Sequence, residues 1–135
     1  MRSLPAGGSV PRILIIDDDV SVSDTFSRIL RLEGHEVWAA VSGEEGLRLA
    51  QRHTPDAIIV DLRMPLSSAL HILRALRALP GLQNTPVAIV TGDYHGSPGD
   101  ALEIEGLGAS LRYKPLWLDE LVTLARDMLT VAVAD

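Results

Sequence analysis

Five short apolar runs alternate with segments of helix length, and four of the runs carry a polar residue at or beside their last position. The runs are RILIID (12–17), EVWAAV (36–41), DAIIVDL (56–62), PVAIVT (86–91) and ASLRYK (109–114). Four are rich in Val and Ile, as strands covered on both faces should be. The last is less regular, and its assignment rests on the pattern. Strands alternating with helices imply a parallel sheet with right-handed crossovers. For five strands the expected class is α/β, a flavodoxin-like (βα)5 three-layer sandwich of strand order 2-1-3-4-5.

The intervening segments carry helical spacing. Val22, Phe26, Ile29 and Leu30 follow a helical repeat that Gly34 ends as the residue past the cap. Ser42 and Glu45 form a capping box for a second helix, with Leu47 and Ala50 facing inward. Leu70, Ile72, Leu73 and Leu76 line a third helix that ends near Pro80. Residues 98–107 make a weak fourth, because Gly99 and Gly106 lower its propensity. Leu118, Leu121, Val122, Ala125 and Met128 define a fifth.

With 135 residues, 47% of them hydrophobic, the chain suits one domain with a real core. Residues 1–11, rich in Gly and Pro, read as a flexible leader; 12–131 form the domain and 132–135 a tail. A net charge of −6 and the lack of a basic cluster argue against direct nucleic-acid binding. No run is long enough to span a membrane and no secretory signal opens the chain, which points to the cytoplasm. The absence of cysteine excludes disulfides and thiolate metal sites.

The chemistry gathers where the runs end. Asp17 and Asp18 close the first, Asp61 the third, Thr91 the fourth and Lys114, the only lysine, the fifth. The carboxyl ends of parallel strands are where open α/β sheets build their sites. Three carboxylates there repel one another unless a cation joins them. Mg²⁺ needs one or two carboxylates when phosphate and water supply the remaining oxygens. Asp18 and Asp61 are the direct candidates, with Asp17 acting through water and the Arg63 carbonyl completing the shell. Asp19 is expected to cap the first helix.

In this order the motifs ILIIDDD, IIVDLRMP, VTGD and YKP resemble those of the receiver domain of bacterial two-component response regulators, over residues 12 to about 130. Asp61 lies 43 residues after Asp18, Thr91 30 after Asp61, and Lys114 23 after Thr91. The resemblance implies that Asp61 accepts a phosphoryl group and that Asp17 and Asp18 hold Mg²⁺, for which Mn²⁺ can substitute. Thr91 would bond the phosphoryl oxygen, and Lys114 would pair first with Asp61 and then with the phosphate. Arg63 and Asp93 would tune hydrolysis, and the Lys114–Pro115 peptide would be cis. The implied partners are a sensor histidine kinase or phosphotransfer protein, and a downstream protein or output domain. The signalling surface would be the fourth helix, fifth strand and fifth helix, with homodimerisation on phosphorylation as a hypothesis. No output domain is expected within these residues.

Three departures from the family pattern carry expectations of their own, one of them the poor fourth helix, which Gly99 and Gly106 make either a mobile switch element or simply a short helix. Leu111 stands where an aromatic switch residue is usual, and is read as packing, with Tyr113 or Tyr94 as substitutes. Ala69 replaces a glycine, so the third helix is expected to start early with Ser67 or Ser68 as its cap. Arg63 and Asp93 taken alone would form a solvated pair at the rim. Trp38 and Trp117 are expected at half-buried core edges, with partner contacts as the alternative, and no histidine pair has metal-ligand spacing. Among other classes, an aspartate-type phosphohydrolase needs an acid at position 63, where Arg63 stands. A dinucleotide or flavin site lacks its glycine-rich loop. A pseudo-receiver fits poorly with five intact site residues.

Overall fold

The computed structural model describes residues 10–61, 63–93 and 96–133. Five strands alternate with five helices: β1 (Arg12–Asp17), α1 (Val20–Leu32), β2 (Glu36–Ala40), α2 (Gly43–His53), β3 (Ala57–Asp61), α3 (Leu66–Arg77), β4 (Val87–Thr91), α4 (Pro98–Gly106), β5 (Ala109–Tyr113) and α5 (Leu118–Val133). The sheet is parallel throughout and ordered β2-β1-β3-β4-β5, the expected topology. Helix α5 continues through Val133, two residues into the expected tail. The expected leader lies mostly outside the described residues.

Strand alternation splits the core into two layers. Ile13, Ile15, Ala57, Ile59, Ala88 and Val90 face α1 and α5, meeting Phe26, Leu30, Leu121 and Ala125. Leu14, Ile16, Ile58, Val60 and Ile89 face the other helices, chiefly Leu70, Leu73 and Leu76 of α3. The three central strands are buried along almost their whole length. Each fully buried Ile or Leu contributes about 1.5–3 kcal/mol of transfer free energy. Strand β5 is an edge strand and half exposed, which explains its irregular sequence.

The helix ends follow local chemistry. Asp19 caps α1, its Oδ1 accepting from the Ser21 and Val22 amides at 3.0 and 3.3 Å. Gly34, at φ +94°, ends it as expected, and the His35 and Gly34 amides donate back to Leu30 and Arg31. In α2, Ser42 Oγ accepts from the Glu45 amide at 3.1 Å, while Glu45 Oε1 reaches the Val41 amide, one residue before the cap. Helix α2 sits so close to the sheet that a Cβ on Gly46 would lie 2.4 Å from Ile16 Cδ1. Leu118, placed on the inward face of α5 by its spacing, is 41% exposed at the helix start.

Helix α3 departs from expectation. It starts early, at Leu66, but neither Ser67 nor Ser68 caps it; both lie within its first turn, behind Pro65 at the cap position. Helix α4 is short and buries only Ile104, in keeping with its poor propensity. Two 2.6 Å contacts between the Arg74 guanidinium and the Glu103 carboxylate tie it to α3.

Candidate functional site

The strand register brings the acids together. Asp17 and Asp61 are direct neighbours across β1 and β3, and Thr91 ends the adjacent β4. All three are buried among the strand ends: Asp17 is 1%, Asp61 4% and Thr91 2% exposed. Lys114 follows β5 and reaches back, its Nζ lying 2.7 Å from Asp61 Oδ1. Its amide donates to the Thr91 carbonyl at 2.8 Å, fixing where the long side chain departs. The Lys114–Pro115 peptide is cis, as the resemblance implied.

Asp18, exposed at the mouth, accepts the Arg63 amide on both oxygens, at 3.2 and 3.3 Å. Asp17 Oδ1 accepts the Asp19 amide at 2.8 Å. Its Oδ2 is buried and finds no hydrogen-bond partner among the described residues. Asp61 Oδ1 likewise has only the Lys114 ammonium.

Burial pushes the Asp17 carboxyl up to about 6, and the neighbouring charge of Asp61 adds to the push. The Asp19 amide and the Lys114 charge oppose it. Burial also raises Asp61, against the pull of the Lys114 ammonium. Desolvation outweighs the single lysine at both carboxyls. Among the described residues one buried carboxylate oxygen, Asp17 Oδ2, stands without a hydrogen-bond partner.

That donor set suits a hard cation. Among the described residues no three acidic or histidine side chains close a metal cage by themselves. Mg²⁺ does not need one, since it keeps several waters and takes one or two carboxylates. Beside Lys114 a cleft of about 470 Å³, lined by Arg63, Pro65, Gly92 and Asp93, leaves space for a phosphoryl group.

The flanking residues take roles that the sequence did not show. The Arg63 guanidinium pairs with the Asp19 carboxylate across the mouth, which holds Asp19 below its ordinary value. Asp93 turns the other way: its Oδ2 accepts the Leu66 amide of α3 at 3.1 Å. Its own amide donates to Thr91 Oγ1 at 2.9 Å. The expected Arg63–Asp93 rim pairing thus gives way to two separate contacts, because Asp19 is nearer the guanidinium and the start of α3 lacks a cap. Sequence spacing held no sign of this; the bare Pro65–Leu66 helix start was the only clue.

Leu111 is partly buried against the α3–α4 side of the core, so the packing reading stands. Tyr113 is 47% exposed at the end of β5, and Tyr94 lies outside the described residues. Trp38 is half-buried and stacks on His53 with ring centroids 4.2 Å apart. Trp117 is 64% exposed, contrary to expectation, because it precedes α5 on the rim.

Comparison with known proteins gives the family and the fold. A family model described as "Response regulator receiver domain" matches residues 13–126. The transcriptional regulatory protein PrrA of Mycobacterium tuberculosis is 35% identical over 127 residues, which cover 93% of this chain and 53% of PrrA. The cell cycle transcriptional regulator CtrA of Caulobacter vibrioides is 37% identical over 81 residues, covering 60% of this chain and 34% of CtrA. The chain spans about half the length of PrrA. Among solved structures, the chemotaxis protein CheY4 of Vibrio cholerae superposes with a TM-score of 0.78 at 29% identity, covering 90% of this chain and all of that one. A CheY-like receiver from Methanospirillum hungatei gives 0.77 at 28% identity, covering 92% of this chain and 97% of that one. The chain therefore belongs to the response regulator receiver domain family, a signalling domain of two-component systems rather than a classical enzyme.

Proposed function

We propose that this domain accepts a phosphoryl group on Asp61 from a phosphohistidine of a sensor kinase or phosphotransfer protein, or from a small acyl phosphate. The observation that carries the reading is the buried Asp61 carboxylate, held 2.7 Å from the solitary lysine and beside the unpartnered oxygen of Asp17. A carboxylate oxygen of Asp61 attacks phosphorus in line. The new O–P bond forms as the P–N bond of the phosphohistidine breaks, and the departing imidazole keeps the electron pair and takes a proton. Lys114 moves from the carboxylate to an equatorial phosphoryl oxygen, offsetting charge as it develops. Asp17, Asp18, Asp61 and the Arg63 carbonyl would hold Mg²⁺ or Mn²⁺. When bound, that ion neutralises phosphoryl oxygens and gives the Asp17 oxygen its missing partner.

The product is an aspartyl phosphate that water later hydrolyses, with Arg63 and Asp93 flanking the approach. Thr91 bonds a phosphoryl oxygen and biases the α4–β5–α5 surface toward a downstream protein, an output domain or a second copy. Leu111 and Tyr113 on β5 belong to that surface. We place the working domain at residues 12–131. Among the described residues no helix is long and apolar enough to cross a membrane, in line with a cytoplasmic reading.

The test is an intact mass after incubation with Mg²⁺ and acetyl phosphate. The expected result is a gain of one phosphoryl in the native chain and none in Asp61→Asn. An equal gain in Asp61→Asn would put the acceptor elsewhere. Rapid turnover of a phosphate ester without an accumulated adduct would favour a hydrolase.

A further inference from the structure

We propose that Asp93 is a positioning residue that links the Thr91 hydroxyl to the first turn of α3, so that the state of Asp61 is reported there. This rests on reading Asp61 as the phosphoacceptor.

The first amides of any helix lack partners within it. At α3 the cap residue is Pro65, which has no side-chain acceptor, and Ser67 and Ser68 already lie inside the turn. Leu66 is 3% exposed, so its amide has little access to water. Its acceptor comes from 27 residues away, as Asp93 Oδ2 at 3.1 Å. A helix usually carries its cap on the residue just before it; here the cap is delivered by the loop after β4.

That loop holds the switch hydroxyl as well. The Asp93 amide donates to Thr91 Oγ1 at 2.9 Å. Two hydrogen bonds of one residue therefore join a buried hydroxyl beside Asp61 to the start of a helix. Tight packing leaves little slack between them. A Cβ on Gly96 would stand 3.1 Å from Leu66 Cβ and 3.2 Å from Asp93 Oδ2, so the loop lies directly on α3.

A hydroxyl can donate to a phosphoryl oxygen while still accepting an amide. The Thr91–Asp93 bond therefore survives when Thr91 moves toward a phosphoryl group. Asp93 follows, and its carboxylate is drawn off the Leu66 amide. The same turn of α3 borders a cleft of about 510 Å³ shared with Val41, Gly43, Met64 and His71, whose shape then follows the state of Asp61. Leu111 is partly buried against the core and is no aromatic, so β5 offers no comparable switch side chain at that position.

The experiment follows the Leu66 amide by nitrogen-edited NMR and hydrogen exchange, with and without Mg²⁺ and beryllofluoride. In the native chain its resonance shifts and its exchange quickens about five- to tenfold on activation, the size of a lost cap. In Asp93→Ala exchange is already fast and activation leaves it unchanged. Asp93→Asn keeps a carbonyl acceptor and restores the native response. The native comparison needs no variant, so a misfolded Asp93→Ala does not blunt it. Phosphoryl uptake from acetyl phosphate is measured by intact mass on a separate aliquot of the same native protein. Uptake with an unmoved Leu66 amide would overturn the link alone. No uptake would instead overturn the assignment of Asp61, and the link with it.

Discussion

Replacing Asp17 with Asn should stabilise the metal-free protein, although it removes a central site residue. Asp17 is 1% exposed, and burial raises its carboxyl from 3.8 to about 6. A raised acid favours its protonated form, so its relative stability is complete below pH 3.8. That stability falls away between 3.8 and about 6, and above this range the full penalty of the buried charge applies. At about 1.4 kcal/mol per tenfold change in proton affinity, the penalty near neutral pH is about 3 kcal/mol. Asn at this position keeps the bond that Oδ1 accepts from the Asp19 amide and puts a neutral amide where Oδ2 lacks a partner. In urea with a chelator present, the midpoint at neutral pH should rise by about 1–2 M. The gain should shrink to a small fraction near pH 4. Added Mg²⁺ should close the gap from the other side, by stabilising the native chain more than Asp17→Asn. A gain of equal size at both pH values, or a loss near neutral pH, would refute the claim that desolvated charge dominates this site.

Gly46→Ala, which in an exposed helix would gain stability, should here cost about 1–3 kcal/mol, because its Cβ would lie 2.4 Å from Ile16 Cδ1. Calorimetry reads the sign, and Ile16→Val in the same chain should recover part of the loss. Arg77→Ala should cost about 2–4 kcal/mol in urea unfolding, since the guanidinium donates to the carbonyls of Leu82, Thr85 and Leu107, which it ties together. Asp19→Ala should speed amide exchange at Ser21 and Val22, whose amides it caps, and leave the α3 amides as they were. Equal change at α3 would mean that the mouth and α3 act as one unit.

The strand order was legible from the chain alone, because five apolar runs alternating with helical segments admit few parallel arrangements. The sequence also located Asp17, Asp61, Thr91 and Lys114 at strand ends, since parallel strands deliver their last residues to one edge of the sheet. The caps at Asp19, Ser42 and Gly34 were legible for the same reason: they are local, set within a few residues of chain. The contacts that needed the folded chain are long-range and polar. Asp93 caps a helix 27 residues before it, Arg63 chooses Asp19, and Trp117 stays exposed on the rim. Apolar periodicity records which face of an element is buried, whereas a carboxylate in a loop has many partners within reach. Which of them it meets is settled by how the layers pack.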